Sequence, residues 1–466
     1  MILMRPLIDL KDILKNILHF LGWRKINENN LEYLGFATLD PIGRVFEYKC
    51  RVFRGIYKEK IDYVKGIFDC GLYQNLFDEG LLVYTSFTKY RNNNFPLILE
   101  HEKLVTTLPT EWTYSMLKDS ALTILKVNNI CNKYGYELGD AHPYNILFKG
   151  SNPLWIDLGS IVPISRKWRA YPEFVNYTVV PLVYMANNEL FEAYSILQSE
   201  RTYKIASKDF RSTILYKIFL ELSGESEENI NAGVIDSNWI ENYKNNPESD
   251  KLFWSDYQKN ISELEIDLNP HKNNHFNRFF KLIPIMKNYS GEAKTMIDLA
   301  GNTGLLSVIC SRRIHFLEKI INTDYDYYSI EKSYSFFREQ NTETIESYLL
   351  NFMLPMHPWV YRNFKSDIVV ALAVTHHLLL TQGFKIDEIF EKIKLFSKKY
   401  VYVEFMPLGL WGGDINSKPQ IPDWYTTEWF EKKFKEHFKL ILRKTMEFHV
   451  INGVKEPHRV LFIGKI

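Results

Sequence analysis

The stretch Thr295-Met-Ile-Asp-Leu-Ala-Gly-Asn-Thr-Gly304 constrains this chain more than any other. A short apolar run ends in Asp298, a turn of small residues follows, and Leu305-Leu-Ser-Val-Ile-Cys310 reads as the first turns of a helix. Strand, tight turn and helix in that order bring backbone close to a nucleotide, and glycine eases the bend because it adopts positive φ without a Cβ clash. Asp324 follows Gly304 by twenty residues and closes the run Lys319-Ile-Ile-Asn-Thr-Asp324. A carboxylate at the end of a second strand can accept both hydroxyls of a ribose.

The turn is not G-x-G-x-x-G. It reads D-L-A-G-N-T-G and resembles the D-x-G-x-G-x-G loop of class I S-adenosylmethionine methyltransferases, with Ala300 and Asn302 where that family usually carries glycine. The resemblance implies S-adenosyl-L-methionine as cofactor. Asp298, Ala300, Gly301, Asn302 and Gly304 would hold its methionine part, and Asp324 its ribose.

Downstream the pattern alternates. Strands are expected at 295–300, 319–323, 348–351, 367–374 and 400–405, with helices near 304–313, 327–340, 386–397 and 429–438. Asp367-Ile-Val-Val-Ala-Leu-Ala-Val374 is apolar throughout, as a strand buried on both faces should be. Thr426 or Thr427 suits the N-cap of the last helix. Repeated βα units predict a mostly parallel, Rossmann-like α/β sheet. Leu440–Val450 and Arg459–Ile463, joined through Asn452-Gly453, predict a closing hairpin at the sheet edge. The antiparallel finish is what the methyltransferase resemblance implies.

Ligands of such sheets bind outside the carboxyl ends of the strands. Asn351, expected to end the third strand, could hydrogen-bond the adenine amine or serve only as a turn residue. The fourth strand ends in Ala373-Val-Thr-His-His-Leu378, with Ala373 expected against the cofactor. His376 or His377 could take a proton from an attacking hydroxyl, shape the pocket, or cap the next helix. Glu404, ending the fifth strand, is the other candidate base. Methyl transfer can also run on positioning of donor and acceptor alone. No metal ligand set is expected, since Cys50, Cys70, Cys131 and Cys310 lack ligand spacing and suit buried, reduced thiols.

The N-terminal half carries a second motif. Arg44–Arg54 reads as a hairpin, Tyr57–Cys70 and Leu72–Asp78 as helices, Leu81–Phe87 and Phe95–Leu99 as short strands, and Thr110–Tyr134 as a long helix. Gly139-Asp-Ala-His-Pro-Tyr-Asn-Ile-Leu-Phe148 and Leu154-Trp-Ile-Asp157 then resemble the catalytic loop and metal-binding strand of the aminoglycoside-phosphotransferase branch of the kinase fold. On that resemblance Asp140 would orient a substrate hydroxyl, while Asn145 and Asp157 would hold the magnesium of Mg-ATP. Leu138 stands where such kinases usually carry His, and no glycine-rich phosphate loop precedes it. Lys49 is the candidate nucleotide-pairing lysine. The alternative is a relic loop that serves as scaffold or docks an acceptor.

From about residue 35 to the end, the succession is similar to bacterial nodulation-protein-like methyltransferases, in which a degenerate kinase-like α+β half precedes a class I methyltransferase. Asp40-Pro-Ile-Gly-Arg-Val-Phe46, Glu111-Trp-Thr-Tyr114, Tyr144-Asn-Ile-Leu-Phe148 and Trp168-Arg-Ala-Tyr171 carry that similarity. The apolar pattern of Leu7–Leu21 predicts an amphipathic N-terminal helix at 1–30, and the similarity implies a kinase-like domain with helical extension at 31–265 and a methyltransferase domain at 266–466. It also implies O-methylation of a sugar or glycoconjugate. The alternatives are a bifunctional enzyme that phosphorylates and methylates a glycan end, and a non-catalytic binding protein.

A net charge of +1 over 466 residues gives no compositional case for nucleic acid or an anionic membrane. No run reaches the ~18 apolar residues of a membrane span. A cytoplasmic protein acting on a small-molecule or glycan acceptor is the expectation, with the oligomeric state left open.

Overall fold

The computed structural model describes residues 24–34, 40–199, 214–244, 277–356, 358–414 and 416–466. Most of the expected N-terminal helix, and the domain division expected near residue 266, lie outside the described residues. By compactness the chain forms two units. One holds the described residues up to Leu104 with Ala121–Ile146 and Leu154–Val175, and the other holds Val105–Ser120, Leu147–Pro153 and Asn176 onward.

The first unit is built on an antiparallel five-stranded sheet: β1 (Glu32–Tyr33), β2 (Gly43–Tyr48), β3 (Arg51–Ile56), β4 (Thr85–Phe87) and β5 (Leu97–His101), in the order β1-β2-β3-β5-β4. Phe46, Phe53, Phe95 and Ile98 pack together with Ile26 as its core. Helices α1 (Ile61–Asp69) and α2 (Leu72–Asp78) come between β3 and β4. The expected strand Leu81–Phe87 shortens to its last three residues, with Leu82 making only an isolated bridge to Trp155. Lys49 lies in the β2–β3 turn at φ 52, exposed, with its ammonium 5.3 Å from the Tyr48 ring. It is not a strand residue facing a nucleotide, because the hairpin must reverse at Lys49-Cys50.

In the second unit, segments distant in sequence join one core. Trp112 meets Phe148 edge-on at 5.1 Å and Phe148 meets Tyr334 at 5.8 Å. Tyr334 donates its hydroxyl to Asp119 at 2.8 Å, and Arg338 pairs with the same carboxylate. The unit's sheet has seven strands: β6 (Thr295–Leu299), β7 (Lys319–Asp324), β8 (Ile345–Leu349), β9 (Ser366–Ala371), β10 (Ser397–Phe405), β11 (Lys439–Ile451) and β12 (Val454–Lys465). Their order is β8-β7-β6-β9-β10-β12-β11. The first five run parallel, while β12 is antiparallel to both β10 and β11.

Helices α3 (Leu305–Arg313), α4 (Tyr327–Glu339), α5 (Thr375–Leu380), α6 (Ile386–Phe396) and α7 (Thr427–His437) alternate with the strands. Thr426 caps α7 by accepting from Trp429 N at 3.1 Å. Met286, Ile309, Ile320, Val370, Tyr402 and Ile463 belong to one cluster on this sheet. Each such fully buried side chain contributes roughly 1.5–3 kcal/mol.

The third strand starts three residues earlier than expected and ends at Leu349. Its polar residues hid it, and each is satisfied sideways. Glu346 pairs with Lys319 at 2.8 Å, and Ser347 accepts from Ser333 at 2.8 Å. Asn452 (φ 51) and Gly453 (φ 78) form the final hairpin turn, where two positive φ values match the twist of the strands. Cys131 and Cys310 are buried but Cys50 and Cys70 are exposed, so thiol burial holds for two of the four. No helix among the described residues is long and apolar enough to cross a membrane.

Candidate active site at the strand ends

The loops after β6, β7, β9 and β10 all leave the carboxyl ends of parallel strands. That end gathers several backbone and polar features that packing alone would not select. Of the eight non-glycine residues with positive φ among those described, three lie here: Ala300 (φ 59), Asn302 (φ 53) and Ala373 (φ 50). The left-handed conformation costs a non-glycine residue about 1–2 kcal/mol, and such strain concentrates at ligand clamps.

The 300–304 turn is crowded. A Cβ on Gly301 would lie 2.2 Å from Asn322 Oδ1 and 2.8 Å from Asp298 Oδ2. Gly304 (φ 79) would place one 2.7 Å from Phe337 Cζ. Glycine is required at both positions, by space at 301 and by space and φ at 304. Asn322 Nδ2 donates to Asn302 O at 3.0 Å, and Gly301 N donates to Thr323 O at 2.9 Å, which pins the turn to the second strand.

Asp298 and Asp324 come together at the ends of adjacent strands, 3% and 5% exposed. Asp324 accepts backbone amides from Asn302 at 2.8 Å and Asp326 at 2.9 Å. Burial nevertheless pushes its carboxyl up to about 6 against those amides. Burial, reinforced by the charge of Asp324, pushes Asp298 up to about 8, with Arg278 pulling the other way. Two buried acids side by side, with Asp324 held by neutral amides, are an arrangement that a cation and a diol would stabilise.

Asn351 lies two residues beyond its strand, exposed, and its Oδ1 accepts from Met353 N at 3.1 Å. That is a turn contact. The rings of His376 and His377 lie 3.9 Å apart in the first turn of α5. His376 is buried, and burial together with the positive charge of His377, Arg459, His458 and Arg278 lowers its pKa to about 2. Burial lowers His377 as well, and it is less enclosed. Both imidazoles are therefore neutral near pH 7. Glu404 is buried and paired with Arg459 at 2.8 Å and Arg278 at 3.5 Å, while its carbonyl accepts from Thr375 Oγ1 at 2.9 Å. Arg278 and Arg459 were not singled out in the sequence, where neither belongs to a motif.

In the second candidate loop Asp140, Asn145 and Asp157 all belong to the first unit. Gly139 N donates to Ser160 O at 2.7 Å, and Ile156 N donates to Asn145 O at 3.0 Å, so Asp140, Asn145 and Asp157 fall on neighbouring segments. Asp140 Oδ2 lies 3.2 Å from His142 Nε2. Asp157 accepts from Gly159 N at 2.9 Å and pairs with Arg54 at 2.9 Å. The same guanidinium pairs with Asp40 at 2.8 Å. A fixed positive charge from β3 thus sits on the carboxylate expected to hold magnesium.

No protein-family model matches the chain. The nodulation protein NoeA of Rhizobium meliloti (strain 1021) is 24% identical over 419 residues, covering 79% of this chain and 83% of that protein. Among solved structures, the chain is similar to an S-adenosylmethionine-dependent methyltransferase from Aquifex aeolicus, with 11% identity, 42% of this chain and 98% of that one, and a TM-score of 0.30. It is also similar to the N-methyltransferase NodS from Bradyrhizobium japonicum WM9, with 11% identity, 41% and 95% coverage, and a TM-score of 0.30.

Proposed function

We propose that this chain is an S-adenosylmethionine-dependent methyltransferase whose donor binds at the carboxyl ends of β6, β7 and β9. The observation that carries the reading is the pair of buried acids flanking a glycine-requiring turn. Asp298 receives the donor's ammonium and Asp324 its ribose hydroxyls. The left-handed backbone at Ala300, Asn302 and Ala373 lets main chain approach the ligand. The donor supplies the activated methyl group, and the chain binds and orients it. Leu350 and Asn351 follow the third strand at the adenine end.

The acceptor is a sugar or glycoconjugate hydroxyl, the class that the sequence resemblance implies. His377 is the better-placed proton acceptor of the histidine pair, since a deeply lowered His376 holds a proton poorly. Glu404, engaged by two guanidiniums, positions Arg278 and Arg459 and does not abstract a proton.

The first unit serves as a kinase-like scaffold or acceptor-binding half. Its five-stranded sheet and the neighbouring segments that carry Asp140, Asn145 and Asp157 support the kinase-like reading. A bifunctional kinase and methyltransferase is the second reading, favoured by the convergence of Asp140, Asn145 and Asp157. It is opposed by Arg54, because magnesium at Asp157 would have to face a guanidinium 2.9 Å from the same carboxylate.

Calorimetric titration separates the readings. S-adenosylmethionine should bind the wild-type chain with one-to-one stoichiometry and fail to bind Asp298→Ala and Asp324→Ala. Mg-ATP should bind none of the three. Donor binding that survives both substitutions would remove the methyltransferase site from these strand ends.

A further inference from the structure

We infer that the final hairpin carries a divalent transition-metal site formed by Glu447, His449 and His458. One ligand atom from each lies within 4.8 Å of the others. Glu447 Oε1 and His449 Nε2 are 3.2 Å apart. Donors that share a zinc-like ion at about 2.0–2.2 Å in tetrahedral geometry stand a little over 3 Å apart, so this pair needs almost no movement to receive one.

The backbone explains how three residues from two strands converge. Glu447 and His449 are two apart on β11 and share a face. The pairing across the hairpin runs His449 with Glu456 and Phe448 with Pro457, then jumps to Glu447 with Arg459. His458 is left over as the extra residue of a β-bulge. Continued regularly, that pairing would set His458 opposite Glu447 and on its face, and the bulge seats His458 and Arg459 together across from Glu447. His458 lies 4.4 Å from the His449 ring, centroid to centroid.

The surroundings fit a metal centre. His458 is 8% exposed, and its Nδ1 is buried with no hydrogen-bond partner. Arg459 Nε holds the other oxygen of Glu447, Oε2, at 2.8 Å, which orients Oε1 toward the histidines. The charge of Arg459 opposes a nearby cation, but Glu404 and Glu447 both pair with it and offset it. Trp411 covers the imidazoles, 5.0 Å from His449 and 5.6 Å from His458. Two imidazoles and one carboxylate select a borderline ion such as zinc, iron(II) or cobalt over magnesium and leave coordination positions open.

The ion pairs Glu447–Arg459–Glu404–Arg278 connect this cluster to the end of β10. If the methyltransferase reading holds, an acceptor hydroxyl is the natural occupant of an open position. That role rests on the reading, whereas the metal site does not.

The test uses the full chain freed of metal by a chelator and titrated with Co2+ followed by visible absorption, then with Zn2+ by calorimetry. One ion should bind per chain. Affinity should fall at least ~100-fold in His449→Ala and in His458→Ala. His437→Ala, which alters a half-buried histidine in an acidic cluster on another element, should leave binding unchanged. Thermal melts verify that the variants fold, and Glu447→Gln, a near-isosteric change, provides a second loss variant should either alanine variant unfold. Metal binding that persists in Asp324→Ala while donor binding is lost separates this site from the donor site. Absence of saturable binding in the wild type, or its persistence without either histidine, overturns the inference.

Discussion

Asp324 and Asp157 are both acids placed at loop ends by a sheet, yet their surroundings differ in kind. Asp324 is bonded to backbone amides, and burial raises its pKa. Asp157 is bonded to a guanidinium that a second acid, Asp40, also holds. Neutral donors leave a carboxylate's charge uncompensated, so a polar or cationic ligand gains by binding it. A fixed arginine removes that gain and turns the acid into a structural strut. Carboxylate position alone therefore does not identify a ligand site, and the sign of what already touches it decides.

The largest effect should come from breaking the strut. Arg54→Ala leaves Asp40 and Asp157 uncompensated beside each other, and removing one partner of a buried ion pair costs about 3–5 kcal/mol. Urea unfolding of the full chain should report that loss, and an unchanged midpoint would return Asp157 to the list of available ligands.

Next comes Asp324→Ala. Hydrogen bonds to a charged group contribute about 1.5–3 kcal/mol each, and Asp324 would lose two of them, so donor affinity should fall by roughly 100-fold or more, below what the titration detects. Asp157→Ala should leave donor affinity as in the wild type, and calorimetry on both variants checks the contrast directly.

Gly304→Ala should cost about 1–2 kcal/mol for the left-handed backbone. The clash 2.7 Å from Phe337 Cζ adds to this. A melting temperature lowered by a few degrees is expected, and an unchanged one would show that the turn relaxes freely.

The last effect is one of pH. The Asp298 carboxyl is raised in the folded chain to about 8. A raised carboxyl favours the folded state below its unfolded value near 4, and that contribution is lost as pH rises through about 8. The melting temperature of the wild type relative to Asp298→Asn should therefore decline across that window. Donor ammonium compensates the ionised form, so the thermal shift on adding donor should grow with pH over the same range. A donor shift independent of pH would place the ammonium elsewhere.

Much of the second unit was legible in sequence because buried parallel strands are apolar along their whole length. Ile320-Ile321 and Ile368-Val369-Val370 show this plainly. The third strand was misplaced because Glu346 and Ser347 look like loop residues until their partners on other elements are known. Asn351 could not be judged from spacing, since an Asx turn and a ligand contact use the same side chain. The histidines of the final hairpin were passed over although the Asn452-Gly453 turn fixes an approximate register. What spacing could not contain was the bulge that sets Arg459 beside His458 across from Glu447.

The sequence by itself determined the βα alternation, the glycine turn after Asp298 and the acid after the second strand, because periodicity and steric demand act over a few neighbouring residues. Only the tertiary structure decided which charges meet: Arg54 with Asp157, Arg459 with Glu404 and Glu447, and His458 with His449. Electrostatic and coordination chemistry depend on distances between side chains far apart in the chain, and those distances are set by packing and strand register.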